Sequence, residues 1–268
     1  EEDVASAPRG APQPRTKAMI PEYLVSFDTN FLPAEEVDVL VVGGGIAGMR
    51  AALALSGRQV LVITKNGLDD SCTGQAQGGI ACAAGPGDSP AAHAADTIAA
   101  GAGLTDPEVA RVIAEEGVTR VKELIAWGFR FDMDLGSLHF GREGGHSASR
   151  ILHAGGDMTG RELAAFLSKR LAAHPHVRIR SRMILIDLLT VEKTVVGALC
   201  LDTTTGSLMA IRASAVVIAS GGAGQLFQET TNPASITGDG QAAAFRRGAE
   251  LIDIEFFQFH PTTLYLAG

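Results

Sequence analysis

The run VDVLVVGGGIAGMRAALALSGRQVLVITK, residues 37–65, limits what this chain can fold into more than any other stretch. VDVLVV (37–42) is a nearly continuous β-branched and aliphatic run, as a parallel strand buried on both faces requires. It passes into GGGIAG, where Gly43, Gly45 and Gly48 fall in the G-x-G-x-x-G spacing, and then into a helix-forming Ala/Leu-rich segment. QVLVITK (59–65) supplies a second strand. Each glycine has a physical reason to be there. Gly43 permits the tight turn, Gly45 lets backbone approach a pyrophosphate, and Gly48 lets the helix pack close to the strand. The helix N-terminus then faces the phosphate charge. Taken alone the spacing also fits ordinary close packing, but strand, glycines, helix and strand within about 30 residues point to a dinucleotide site. An NAD site would close the second strand with an acidic residue for a ribose hydroxyl; this one closes with Thr64 and Lys65, which disfavours NAD.

Two more glycine-rich runs follow, SCTGQAQGGIACAAG (71–85) and VVIASGGAG (216–224), the latter after a β-branched strand. Three such segments suit a long cofactor held extended, although the third by itself also reads as a strand-to-loop exit. AAHAADTIAAGAG, DPEVARVIAEEGVTRVKELIAWG and TGRELAAFLSKRLAAH read as helices; in the second, Val109, Val112, Ile113, Val118, Val121, Leu124 and Ile125 recur near helical spacing and are expected to face a core. VRIRSRMILIDLLT, VVGALCLD and LMAIRASAVVIA read as strands of a small antiparallel sheet set into the frame. The fold class is therefore α/β, a doubly wound, Rossmann-like domain with an inserted antiparallel sheet. Residues 1–36, rich in Pro, Ala and charge, are expected to be a flexible tail, without the apolar core of a secretory signal and with an acidic start unlike a transit peptide.

Thirty acidic against twenty-two basic side chains, net −8, with no Lys/Arg stripe interleaved with aromatics, argue against nucleic acid as a partner. The longest apolar runs are broken by glycine and fall short of the roughly 20 residues of a membrane span. Cys72, Cys82 and Cys200 show no paired spacing, so they are expected as reduced thiols in a cytoplasmic compartment, and no metal site is expected. One loop is unusual: GREGGHSASRIL (141–152) crowds Arg142, Glu143, His146 and Arg150 among glycines with no apolar period. It reads either as a solvated loop or as a site for a small charged molecule.

VVGGGIAGMRAAL, ITK, SCTGQAQGGIA, REGGHSASRILHAGGDMTGREL, IASGGAG, TTNPASITGDGQAAAFRRGAEL and EFFQFHPTTLY, in that order, resemble the flavoprotein family of succinate dehydrogenase, fumarate reductase and L-aspartate oxidase across residues 37–268. The resemblance implies FAD bound by a domain over 37–253, with 254–268 beginning a capping domain that closes over a dicarboxylate. It implies cofactor contacts at Gly43, Gly44, Gly45, Ile46, Ala47, Gly48, Lys65, Cys72, Thr73, Gly74, Gln75, Ala76, Gln77, Gly78, Gly79, Gly221, Gly222 and Asp239. A helix cap is the alternative reading of Asp239. Where respiratory members carry flavin covalently on a histidine, this chain has Cys72, which implies non-covalent FAD. Where the dehydrogenases resemble G-K-G-G-Q-A, this chain has Glu143, as the aspartate-oxidising members do.

A buried ammonium is costly without a carboxylate beside it, so Glu143 is expected to receive the α-ammonium of L-aspartate and to separate it from succinate. The alternative is that Glu143 pairs with Arg142 or Arg150 at the surface. His260 resembles the family histidine that binds a substrate carboxylate, with Thr262 beside it; alone, a His before Pro would be structural. His153 receives no role from the sequence. The implied reaction is oxidation of L-aspartate to iminoaspartate, with oxygen or fumarate as acceptor and the product passing to quinolinate synthase on the route to NAD. The family's catalytic arginine is expected beyond Gly268, so no catalytic residue is expected within these residues and they are not expected to turn over substrate alone. Two other readings remain: a soluble fumarate reductase or succinate dehydrogenase flavoprotein, and a truncated, non-catalytic FAD-binding module.

Overall fold

A computed structural model describes residues 21–259 of the chain. The crossover read from the sequence is present as β1 (Ala34–Val42), α1 (Ile46–Ala54) and β2 (Val60–Ile63). Then come α2 (Cys72–Gln75), β3 (Ile80–Ala81), α3 (Pro90–Ala100), α4 (Pro107–Ala126), β4 (Met133–Asp134), β5 (Ser137–Leu138), β6 (Phe140–Gly141) and β7 (Ile151–Leu152). The remainder is α5 (Thr159–Ala172), β8 (Val177–Arg180), β9 (Met183–Val191), β10 (Thr194–Asp202), β11 (Ser207–Ile218) and α6 (Asp239–Arg246).

The main sheet has six strands in the order β8-β2-β1-β11-β10-β9. β8, β2, β1 and β11 run parallel, and β9, β10 and β11 are antiparallel. The antiparallel part is joined to the parallel part through β11, which pairs with β10 through its first half and with β1 from Ala210 to Ile218. Alternate side chains of β1 serve opposite faces. Val39 and Val41 join Met49, Leu163 and Leu167 under α1 and α5, while Leu40 and Val42 join Met183, Leu185 and Ala243 on the other side. Among the described residues, no helix is long and apolar enough to cross a membrane.

Three expectations change. The segment 177–190 is not one strand: Arg182 at φ 60 breaks it, and β8 joins the parallel sheet beside β2, register Val60 to Val177. Residues 21–36 are not a free tail. β1 already pairs from Ala34, Leu24 N–H donates to Asp187 Oδ2 at 2.7 Å, and Tyr23, Phe27 and Leu32 cover Leu189, Leu199 and Ala210. That apolar burial offsets the entropy of ordering the segment. Residues 1–20 lie outside the described residues. On α4, Val121 is buried, but Val109, Val112, Ile113 and Ile125 are exposed, Ile113 by 63%. Helical period shows which residues share a face, not which face turns inward, and here the inward face also carries the small residues Ala110 and Ala114.

Candidate functional site

The glycines after β1 are held by main chain. Gly43 has φ +117, a conformation L side chains rarely adopt, and a Cβ there would lie 2.1 Å from Ala219 O at the exit of β11. A Cβ on Gly48 would lie 2.0 Å from Gly43 O, so α1 can pass under the turn only without a side chain. Gly45 differs: the nearest atom to a Cβ there is Thr73 Oγ1 at 3.5 Å, which leaves its backbone open to the cleft. Gly45 is also the N-cap of α1 and supplies no side chain, so the first-turn amides face the cleft; Ile46 N–H alone donates sideways, to Thr73 Oγ1 at 3.0 Å. Orphan amides at the positive end of a helix favour a phosphate.

The cleft beside this turn has a volume of about 390 Å³ and runs from Gly43–Ala47 past Lys65, Cys72 and Thr73 to Gly221 and Asp239. Lys65 is fully engaged: Nζ donates to Ser235 O at 2.7 Å, Thr237 Oγ1 at 2.6 Å and Asp239 Oδ1 at 2.6 Å. The basic end of β2 is thus balanced by Asp239, the first residue of α6, and both face the cleft. Cys72 Sγ lies 3.2 Å from Asn232 Oδ1. Desolvation by the cleft walls pushes its thiol above the usual value, so it stands neutral rather than as a thiolate.

The loop 71–79 faces two ways. Cys72 and Thr73 line the cleft, and Ser71 Oγ accepts from Gly74 N–H to cap α2. Behind it, Gly160 N–H donates to Ala76 O at 3.0 Å, and a Cβ on Gly160 would meet Thr73 O at 2.0 Å, so α5 closes directly on the loop. Gly74 packs against Asp69 O, while Gln75, Gln77 and Gly78 are exposed and do not line the cleft. Gly222 lies just outside the lining and its carbonyl accepts from Gly238 N–H at 3.2 Å. Gly79 leads into β3, the edge of a three-stranded antiparallel sheet in the order β3-β7-β6.

The charged loop 142–149 joins β6 to β7. Arg150, fully buried, anchors it: Nε and Nη2 donate to Asp88 at 2.9 Å each and Nη1 donates to Asp96 at 2.7 Å. Asp96 Oδ2 also accepts from Ser147 N–H and Oγ–H, both at 2.8 Å. These two Ser147 bonds, with Arg150 behind them, hold the Asp96 carboxyl at a pKa of about 2. Arg142 Nε donates to His146 O at 3.0 Å. Both arginines considered as surface partners for Glu143 are thus engaged elsewhere, and the Glu143 carboxylate, 57% exposed, has His153 Nε2 at 3.9 Å. Phe257 and Phe259, edge-on to Phe227, lead towards His260; His260 and Thr262 lie outside the described residues.

Sequence reasoning missed Ser235, Thr237, Asp88, Asp96, Ser147, His153 and also Gln241, which lines the cleft and donates from Nε2 to Gly221 O at 3.1 Å. Ser235 and Thr237 sit inside the run TTNPASITGDG, four and two residues before Asp239, and that proximity was a usable signal. The partners of Arg150 lie 62 and 54 residues away in sequence, with nothing local to mark them.

An FAD binding domain family model matches residues 38–267. The chain is 46% identical over 238 residues to the L-aspartate oxidase of Streptomyces coelicolor, covering 86% of this chain and 41% of that protein. It is 43% identical over 233 residues to the chloroplastic L-aspartate oxidase of Arabidopsis thaliana, covering 85% and 36%. It therefore spans well under half the length of these relatives. Among solved structures, it superposes on E. coli quinol fumarate reductase FrdA with a TM-score of 0.83 and 33% identity, covering 87% of this chain and 40% of that one. The Mycobacterium smegmatis Sdh1 complex gives 0.79 and 34%, covering 86% and 42%. With the crossover, the open Gly45 and the Lys65–Asp239 network in the same matched span, the chain belongs to the FAD binding domain family.

Proposed function

We propose that this chain is the FAD-binding part of an enzyme that oxidises L-aspartate to iminoaspartate, the first step of a route through quinolinate to NAD, with oxygen or fumarate as electron acceptor. On this reading residues 37–253 form the cofactor unit and 254–268 begin the part that covers the substrate. FAD, when bound, accepts the hydride; the chain holds and orients. The open Gly45, the α1 amides and Lys65 with Asp239 fit a non-covalent dinucleotide, and a neutral Cys72 thiol on the cleft wall suits a flavin held without a covalent bond. The three free cysteines are in keeping with a reducing compartment such as the cytoplasm.

The observation that carries the substrate assignment is Glu143. It is a half-exposed carboxylate on the strand connection next to the cofactor loop, and neither nearby arginine neutralises it. A carboxylate there attracts an α-ammonium group, which succinate lacks. His260 and Thr262 are proposed to bind a substrate carboxylate. The test uses the intact FAD-loaded protein, mixed anaerobically with L-aspartate or succinate while the visible flavin absorbance is followed. Aspartate should bleach the flavin and succinate should not. Glu143→Gln should weaken aspartate binding about 10-fold, as loss of a charged hydrogen bond predicts, with succinate binding changed less than about twofold. The fit to the quinol fumarate reductase supports a second reading, reversible oxidation of succinate. Bleaching by succinate and not by aspartate would select it.

A further inference from the structure

The small sheet puts one side chain between the cofactor loop and the charged loop. β7 is its central strand: Leu152 lies opposite both Ile80 and Phe140, and Ile151 opposite both Ala81 and Gly141. His153, the next residue, therefore emerges across from Gly79, where the cofactor loop enters β3. Its imidazole fills the space that two glycines leave. A Cβ on Gly79 would lie 3.0 Å from Nε2, and a Cβ on Gly141 would lie 3.2 Å from Cε1. The backbone around it is fixed: His153 O accepts from Asp132 N–H at 2.8 Å, and the Asp132 carboxylate accepts from Gly155 and Gly156 N–H at 2.9 and 3.0 Å.

Glu143 is held more loosely, its carbonyl accepting from His146 N–H at 3.4 Å. Gly144 has no atom within 4 Å of a Cβ position, nor has Gly145, and the Glu143 side chain is 57% exposed against 25% for His153. Among the described residues, the His153 ring is the one basic side chain within 4 Å of the Glu143 carboxylate. A separation of 3.9 Å is just beyond a hydrogen bond, so a small rotation of the carboxylate closes it. The fixed group is the histidine and the movable one is the carboxylate.

We propose that His153 is a positioning residue that sets where Glu143 presents its carboxylate, and so sets the preference for an amino dicarboxylate over the unsubstituted dicarboxylate. The inference rests on the substrate-binding role proposed for Glu143. Without the ring, the carboxylate relaxes into water and the ammonium of the ligand loses its partner, while groups that bind the ligand carboxylates are untouched.

The experiment uses the intact FAD-loaded protein. L-aspartate affinity is read from the concentration dependence of anaerobic flavin bleaching in rapid mixing, succinate affinity from perturbation of the oxidised flavin spectrum, and FAD affinity from cofactor fluorescence on release. His153→Ala should weaken aspartate binding about 5-fold, with succinate and FAD affinities changed less than about twofold, as expected for a coupled neighbour of the binding group. His153→Gln, which keeps an N–H donor of similar reach, should recover most of the loss. The double variant with Glu143→Gln should be no worse than Glu143→Gln alone, because the two residues act through one carboxylate. Equal losses for aspartate and succinate, or additive losses in the double variant, would overturn the proposal. So would an unchanged aspartate affinity in His153→Ala while Glu143→Gln remains selective. If Glu143→Gln itself shows no selectivity, the reading of the site fails instead. Should His153→Ala not fold, His153→Asn, whose shorter amide falls short of Glu143, carries the same comparison with His153→Gln.

Discussion

Two glycine-rich regions, the turn after β1 and the loop between β6 and β7, are built in opposite ways. At the nucleotide end, a methyl on Gly43 or Gly48 would lie about 2 Å from a main-chain oxygen, so backbone packing alone fixes the turn. In the charged loop, Gly144 and Gly145 have no atom within 4 Å of a Cβ position, and the loop takes its place from side chains on other elements. A cofactor common to a whole family can be met by rigid backbone. On the function proposed above, a substrate that differs from its analogue by one ammonium group is met by a loop whose position is adjustable from outside.

The largest effect should come from removing the outside anchor. Arg150 has no exposed surface and neither, within 1%, does the side chain of its partner Asp88. Arg150→Ala leaves that carboxylate buried without a counter-charge, which typically costs about 3–5 kcal/mol. Denaturant unfolding should register a loss of this size, and hydrogen exchange at 142–149 should rise further than in the parallel strands. A loss under about 1 kcal/mol would mean that the loop holds its own place and that the contrast between the two regions is wrong.

A smaller effect is expected at the nucleotide end. Gly48 lies inside α1 with no positive φ, so alanine suits its backbone, and the 2.0 Å approach to Gly43 O decides the sign. Gly48→Ala should destabilise by about 2 kcal/mol, since the atom that must yield is main chain. FAD retention through gel filtration should fall before the fold is lost, because the strain is spent in displacing α1 from the turn. Unchanged FAD retention would show that this turn is as adjustable as the loop.

How far each region could be read from sequence follows the same division. The crossover was legible because its constraints are local: a buried run, three glycines and a helix within residues 37–54 fix one another. The antiparallel arm was legible as strands, but its junction was not, since β11 pairs with β10 from Ser207 to Arg212 and with β1 from Ala210 to Ile218, and nothing in LMAIRASAVVIA marks that overlap. Lys65 stands out as a departure from an acidic position, yet its partner Asp239 lies 174 residues away. The charged loop stands out by composition, but which of its charges is buried could not be read. Arg150 and Glu143 look alike in sequence, and only the long-range carboxylates Asp88 and Asp96 separate the buried anchor from the exposed carboxylate. His153 is silent in the sequence because one histidine after an apolar pair carries no local signal.

The smallest effect should be at Gly144. Its neighbours Glu143 and Gly145 are exposed, it has no positive φ, and no atom lies within 4 Å of an added Cβ. Alanine there should meet nothing in the folded state and should restrict the unfolded chain, so stability should stay level or rise by about 0.5 kcal/mol. Gly145 is the internal control: its φ of +82 makes alanine strained although the space around it is equally open. Gly144→Ala should therefore leave thermal unfolding and aspartate-driven bleaching close to the parent while Gly145→Ala lowers both. If Gly144→Ala is as harmful as Gly48→Ala, the loop is packed against something as closely as the nucleotide turn is, and its glycines serve close approach rather than freedom.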